Sequence, residues 1–70
     1  MPSGPRYLRV APGGRVEYSD SRDGPWTPDA EGFTCPVDAD GIASLNMHMS
    51  GGIIGQFTPR VGIDIIDLKE

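Results

Sequence analysis

Cys35 and His48 are the only cysteine and the only histidine of this 70-residue chain, and they form the one pairing that could supply an activated nucleophile. A thiol turns into a thiolate when a base comes within hydrogen-bond reach. No spacing brings these two together, neither sits in a catalytic signature, and so short a chain seldom closes a substrate pocket by itself. Asp64 and Asp67 offer a second chemistry, a carboxylate pair for acid and base work. Their odd separation sends them to opposite faces of a regular strand. Asp38 and Asp40 in "DADG" are similar to part of a calcium loop, but in that frame Pro36 takes the first ligand position and Met47 the twelfth, where oxygen ligands are required. The stretch therefore reads as a turn. The chain is expected to be non-enzymatic, with no metal and no cofactor.

A binding chemistry is better supported than a reaction. Asn46, His48 and Gln56 fall on the polar side of one pair of strands, where they could line a hydrogen-bonding groove. Arg9 and Arg15 lie on another pair and could meet an anion. Glycine loops cradle phosphate when a helix follows them. Here "PGGR" and "SGGI" are each followed by a strand-like run, so the loops are hairpin turns first.

The strands come from period-two alternation. Leu45, Met47 and Met49 share one face and Asn46, His48 and Ser50 the other. A three-residue loop at Ser50, Gly51 and Gly52 pairs Met49 with Ile53, Met47 with Gly55, Leu45 with Phe57 and Asn46 with Gln56, which keeps each face homogeneous. A two-residue loop would mix them. The N-terminal stretch "YLRVAPGGRVEYS" behaves alike: a loop of Pro12, Gly13 and Gly14 pairs Val10 with Val16, Leu8 with Tyr18, and Arg9 with Glu17 as a cross-strand ion pair. Between the hairpins, residues 19–41 are rich in Asp, Pro and Gly. Thr27 is expected to cap a single helical turn from Pro28 to Gly32. Trp26, Phe33 and Val37 are the expected anchors of this stretch, the tryptophan in the core.

"YSDSRDGPWT" resembles the aspartate-box hairpin of sialidases and some fibre proteins, in which serine, aspartate, glycine, threonine and tryptophan follow in fixed order. Ser21, Asp23, Gly24 and Trp26 match once a residue is dropped, and Thr27 follows the tryptophan instead of preceding it. The resemblance implies a hairpin and carries no activity.

Composition sets the outer limits. Seven prolines and ten glycines disfavour long helices. The fold expected is all-β: a small antiparallel sandwich or partly open barrel of about five strands built on hairpins, near 6–11, 15–20, 42–49, 53–58 and 61–68, with one short helical turn. Residues 1–5 are expected to be a flexible tail and 6–70 a single domain. One cysteine and no leader-like or membrane-spanning run point to the cytoplasm. The net charge of −4 disfavours nucleic acid as a partner, since phosphate neutralisation supplies much of that affinity. It hides an asymmetry. Arg6, Arg9, Arg15 and Arg22 meet only Glu17 and Asp20 in the first 22 residues, whereas the remainder sets Arg60 and Lys69 against eight carboxylates.

The C-terminal run "RVGIDIIDLK" sharpens the functional expectation. In one unbroken strand Val61, Ile63 and Ile65 share a face, while Ile66 and Leu68 fall on the other, and Ile54 stands on the polar side of its hairpin. Large apolar side chains on both faces need cover on both. A second subunit supplies it, so Ile54, Ile66 and Leu68 are expected at an interface between copies. A bulge near Ile65 and Ile66 is the competing account, returning Ile66 and Leu68 to one core. The function expected is a binding or assembly module acting as a homo-oligomer, with another protein as a further partner. The alternative is an oligomeric receptor for a small phosphorylated or polar ligand, using Arg9, Arg15, Asn46, His48 and Gln56.

Overall fold

The computed structural model describes residues 5–48 and 54–68; the expected tail up to residue 4 and the expected pairing of Met49 with Ile53 around Ser50, Gly51 and Gly52 lie outside the described residues, as do residues 69–70 and the side chains of His48 and Ile54. The elements are β1 (Tyr7–Val10), β2 (Val16–Ser19), β3 (Thr27–Pro28), β4 (Leu45–His48), β5 (Ile54–Phe57) and β6 (Ile66–Asp67). They form two antiparallel sheets, one of four strands in the order β3-β2-β1-β6 and one of two, β4-β5. Among the described residues there is no helix. The fold is small and all-β.

Both hairpins adopt the register that face homogeneity demands. Leu8 stands opposite Tyr18, Arg9 opposite Glu17 and Val10 opposite Val16. Leu45 stands opposite Phe57, Asn46 opposite Gln56 and Met47 opposite Gly55. Because side chains alternate, each hairpin turns one apolar face inward, and the two sheets share one core. Leu8, Val10, Val16, Cys35, Ala43 and Leu45 are buried in it, with Tyr18, Met47, Phe57, Val61, Ile66 and Leu68 packed around them. Leu8, Val10 and Val16 are the largest fully buried side chains. Each contributes roughly 1.5–3 kcal/mol by leaving water.

The middle stretch departs from expectation. Thr27 and Pro28 pair with Tyr18 and Glu17 as strand β3, so no helical turn starts there. Asp29 is the cap instead: the Gly32 N–H donates to its carbonyl at 2.9 Å, closing a four-residue turn, and its carboxylate accepts the N–H groups of Glu31 and Phe33 at 3.1 and 3.2 Å. Trp26 is not in the core. Pro28 shares a face with Glu17, and stepping back two residues puts Trp26 on that same outward face. There the Arg9 guanidinium lies 4.5 Å from its ring centroid. The side chains of Phe33 and Val37 are 53% and 39% exposed, so these two residues hold the stretch through their backbones, Phe33 to Val16 and Val37 to Ala43. The side chain that is buried there is Cys35.

The anchor works because Gly14 has no side chain. The Cys35 N–H donates to the Gly14 carbonyl at 2.9 Å, and the Val16 N–H donates to Phe33 at 3.2 Å. A Cβ on Gly14 would stand 2.5 Å from the Cys35 carbonyl oxygen. From there Pro36 accepts the Ser44 N–H at 3.0 Å, so the same segment reaches the strand that continues into β4.

The C-terminal run is not one strand. The Ile63 and Asp64 N–H groups both donate to the Arg60 carbonyl at 3.1 Å, and Gly62 adopts φ +74. This turn resets the alternation. Val61 packs inward, Ile63 is thrown out at 65% exposure, and Ile66 returns opposite Leu8. Leu68 also packs on the core. Ile66 and Leu68 therefore pack partly on the core and not on a second outer face, and a turn at 60–63 takes the place of a bulge at Ile65 and Ile66.

Gly13 and Gly14 both have positive φ, +93 and +88, but only Gly14 has backbone in the way. Gly13→Ala is expected to cost about 1–2 kcal/mol from conformation alone. Gly14→Ala is expected to add roughly 1–3 kcal/mol of overpacking. Denaturant unfolding of the two variants checks this; equal losses would mean that Cys35 does not crowd Gly14.

Candidate functional site

The five polar residues expected to bind a ligand are not gathered in one place. Arg9 is on the outward face of the four-stranded sheet, where its Nε donates to Glu17 Oε1 at 2.7 Å. Asn46 and Gln56 are exposed and stand opposite one another. With Leu45, Met47 and Phe57 turned to the core, alternation places them on the outward face of the other sheet, across the molecule from Arg9. His48 sits in β4, its side chain outside the described residues. Arg15 is exposed beyond the first hairpin loop, and its backbone forms a bridge with Thr34.

What the fold does assemble is a strip of arginine and aromatic rings on the outward face of the four-stranded sheet. Tyr7 and Arg9 share that face of β1. The guanidinium of Arg6 lies 5.4 Å and that of Arg22 5.5 Å from the Tyr7 ring centroid, while Arg9 covers Trp26. Each such contact is worth about 0.5–1 kcal/mol at an exposed site. Trp26 owes its position partly to Gly24, since a Cβ there would come within 2.9 Å of the indole Cδ1. Two of the three arginines also carry carboxylates: Arg6 binds Asp67 through Nε and Nη2 at 3.3 and 3.1 Å, and Arg9 holds Glu17, whose side chain is only 14% exposed. Arg22 makes no ion pair among the described residues. Its place could have been read from the sequence, since it follows by a few residues Ser19, the partner of Tyr7 across the strands.

The groups considered for chemistry have structural work. Cys35 is buried with Sγ 3.6 Å from the Gly14 carbonyl oxygen, and burial raises the thiol pKa. That is the opposite of what a thiolate nucleophile needs. Asp38 closes its turn, its Oδ1 accepting the N–H groups of Asp40 and Ile42 at 2.9 Å. Asp64 binds the Arg60 guanidinium at 3.1 Å, and that hydrogen bonding lowers its pKa and raises that of Arg60. Asp67 pairs with Arg6, so the two C-terminal aspartates serve different partners. Among the described residues no three His, Cys, Asp or Glu side chains cluster as a metal site, and no helix is long and apolar enough to cross a membrane.

Compared with protein-family models, curated proteins and solved structures, the chain matches none of them. The functional reading therefore rests on the residues themselves.

One carboxylate ties the middle stretch to the sheet. The backbone N–H of Phe33 and then that of Glu31 hold the Asp29 carboxyl below its ordinary pKa, and Tyr18 faces the same group. Burial, reinforced by Asp29, pushes the Tyr18 hydroxyl up. A depressed folded-state pKa contributes stability above the unfolded value and loses it as pH falls through the folded one. Asp29→Asn is thus expected to lower the Tm near neutral pH, with the gap from the unmutated chain closing below the ordinary carboxyl value of 3.8. Thermal melts from pH 7 to pH 2 test this; a gap that is constant with pH would remove Asp29 from the acid response.

Proposed function

We propose that this chain is a non-enzymatic binding or assembly module that works as a homo-oligomer. The observation that carries the reading is the placement of its large apolar side chains. Among the described residues Leu8, Val10 and Val16 are the largest fully buried side chains, whereas Phe33, Val37 and Ile63 stand 53%, 39% and 65% exposed. A domain this small gains little from its own core, and association is a common way for such domains to reach stability. Of the interface residues proposed from the sequence, Ile66 and Leu68 already spend much of their surface inside the subunit, so Ile63 and Phe33 are the better candidates for an intersubunit contact. The single thiol is buried, which suits a reducing compartment, and the cytoplasm is the proposed location. Nucleic acid and membrane are not among the proposed partners; another protein is.

A second reading is kept for one observation. Among the described residues Arg15 and Arg22 form no ion pair with a carboxylate, and an arginine fork so placed suits a phosphate or carboxylate. In this reading the oligomer is a receptor for a small phosphorylated or polar ligand. Native mass spectrometry separates the two, because a stoichiometric retained small molecule favours the receptor and a clean oligomer favours assembly.

Light scattering behind a sizing column tests the main reading. The expected mass at micromolar concentration is a multiple of 7.5 kDa. Ile63→Glu, which would bury an unpaired charge in an interface, is expected to lower that mass without unfolding the subunit. A monodisperse 7.5 kDa species would overturn self-association.

A further inference from the structure

The outer strands of the two sheets are protected unequally. In the four-stranded sheet β3 is two residues long and contains Pro28, which has no N–H to offer. At the other side β6 is also two residues long and carries Asp67. Short length, proline and charge are the usual means of blunting a sheet edge against further pairing. The two-stranded sheet has none of them: "LNMH" in β4 and "IGQF" in β5 contain no proline and no Asp, Glu, Lys or Arg. The strand leading into β4 is partly covered, since Pro36 accepts the Ser44 N–H and Val37 pairs with Ala43. Among the described residues no strand pairs with the far side of β5.

The phase of the ladder says which groups that edge presents. The Ala43 N–H donates to the Pro59 carbonyl at 2.9 Å. Antiparallel pairs alternate between exchanging hydrogen bonds and not doing so. Leu45 with Phe57 and Met47 with Gly55 are therefore the bonded pairs, and the N–H and C=O groups of Ile54, Gln56 and Thr58 point away from β4. A two-stranded ribbon is marginal until a further strand joins it.

We infer that β5 is the edge through which two copies of this chain join, antiparallel about a two-fold axis at Gln56, so that two β4-β5 ribbons become one four-stranded sheet. The inference rests on the self-association proposed above and adds to the exposed Ile63 and Phe33 a second, separate surface for it. A second copy is the occupant because the edge complements itself. About that axis the Gln56 N–H of each copy donates to the Gln56 carbonyl of the other, and Ile54 and Thr58 exchange bonds in the same phase. Gly55 of one copy faces Phe57 of the other on the core side, small against large, and the two Gln56 amides meet on the outer side. No like charges oppose one another anywhere along the pair. The contact is isologous and closes at two copies instead of growing into a fibre.

Gln56→Lys sets two ammonium groups against each other at the axis, and because Gln56 is exposed the subunit fold should tolerate it. Sedimentation velocity and amide hydrogen exchange read the result. The expected outcome is a dimer for the unmutated chain, self-association weakened at least about tenfold in the variant, and faster exchange of the Gln56 and Thr58 amides with the Val10 and Val16 amides unchanged. A folded variant that keeps the unmutated mass and slow Gln56 exchange would overturn the β5 contact while leaving self-association standing. A monomeric unmutated chain would overturn both. Should the variant not fold, the unmutated chain decides alone: protection of the Gln56 and Thr58 amides must rise with concentration, and concentration-independent exchange overturns the contact.

Discussion

The approach of Cys35 to Gly14 is the constraint on which the rest of this fold depends. Two hairpins of four-residue strands have little to hold them together, and the segment between them is polar. Gly14 lets the Cys35 backbone come within hydrogen-bonding distance where any Cβ would collide with it. The middle segment is thereby stitched to the first hairpin through Gly14 and Val16, and to the second through Pro36 and Ser44. The thiol buried at the stitch belongs to the shared core. In the same few residues Phe33 and Val37 are held outward, so the contact that closes the core also displays apolar side chains on the surface.

A second constraint is parity. In a strand each residue commits its neighbours to alternate faces, and the C-terminal run breaks that commitment with one turn at 60–63. The turn is stabilised by the Arg60 and Asp64 pair, whose carboxylate also accepts the Arg60 N–H at 2.8 Å. Its effect is to move Ile66 and Leu68 from an apparent second apolar face into the core and to expel Ile63. The proposed self-association accordingly draws on the exposed Ile63 and Phe33 and on the edge of β5 rather than on the C-terminal strand.

Much of this was legible in the sequence, for a physical reason. Register is over-determined when one face of a hairpin is buried, so Leu8 opposite Tyr18 and Leu45 opposite Phe57 followed from alternation and loop length alone. The Arg9 and Glu17 pair came with it. Where the outcome depended on a few hydrogen bonds, pattern was insufficient. Thr27 and Asp29 are both competent caps, and pairing with Tyr18 drew Thr27 into a strand. Size alone points Trp26 to the core, yet its position in phase with Pro28 sends it outward, where Arg9 covers it. The turn at 60–63 had a signal in "PRVGID", a glycine followed two residues later by an aspartate able to reach back to Arg60, but the recurring β-branched Val61, Ile63, Ile65 and Ile66 concealed it. The binding set Arg9, Arg15, Asn46, His48 and Gln56 was drawn from two hairpins whose relative placement no local pattern encodes.

The claim that the middle stretch is a fastened part of the core, and not a loop, is tested most directly by amide hydrogen exchange at Cys35. The Cys35 N–H, bonded to Gly14, is expected to exchange as slowly as the Glu17 N–H, which is bonded across β1 and β2, and to open only with that hairpin. Exchange of Cys35 at the rate of an unprotected loop, with the hairpin still protected, would contradict it.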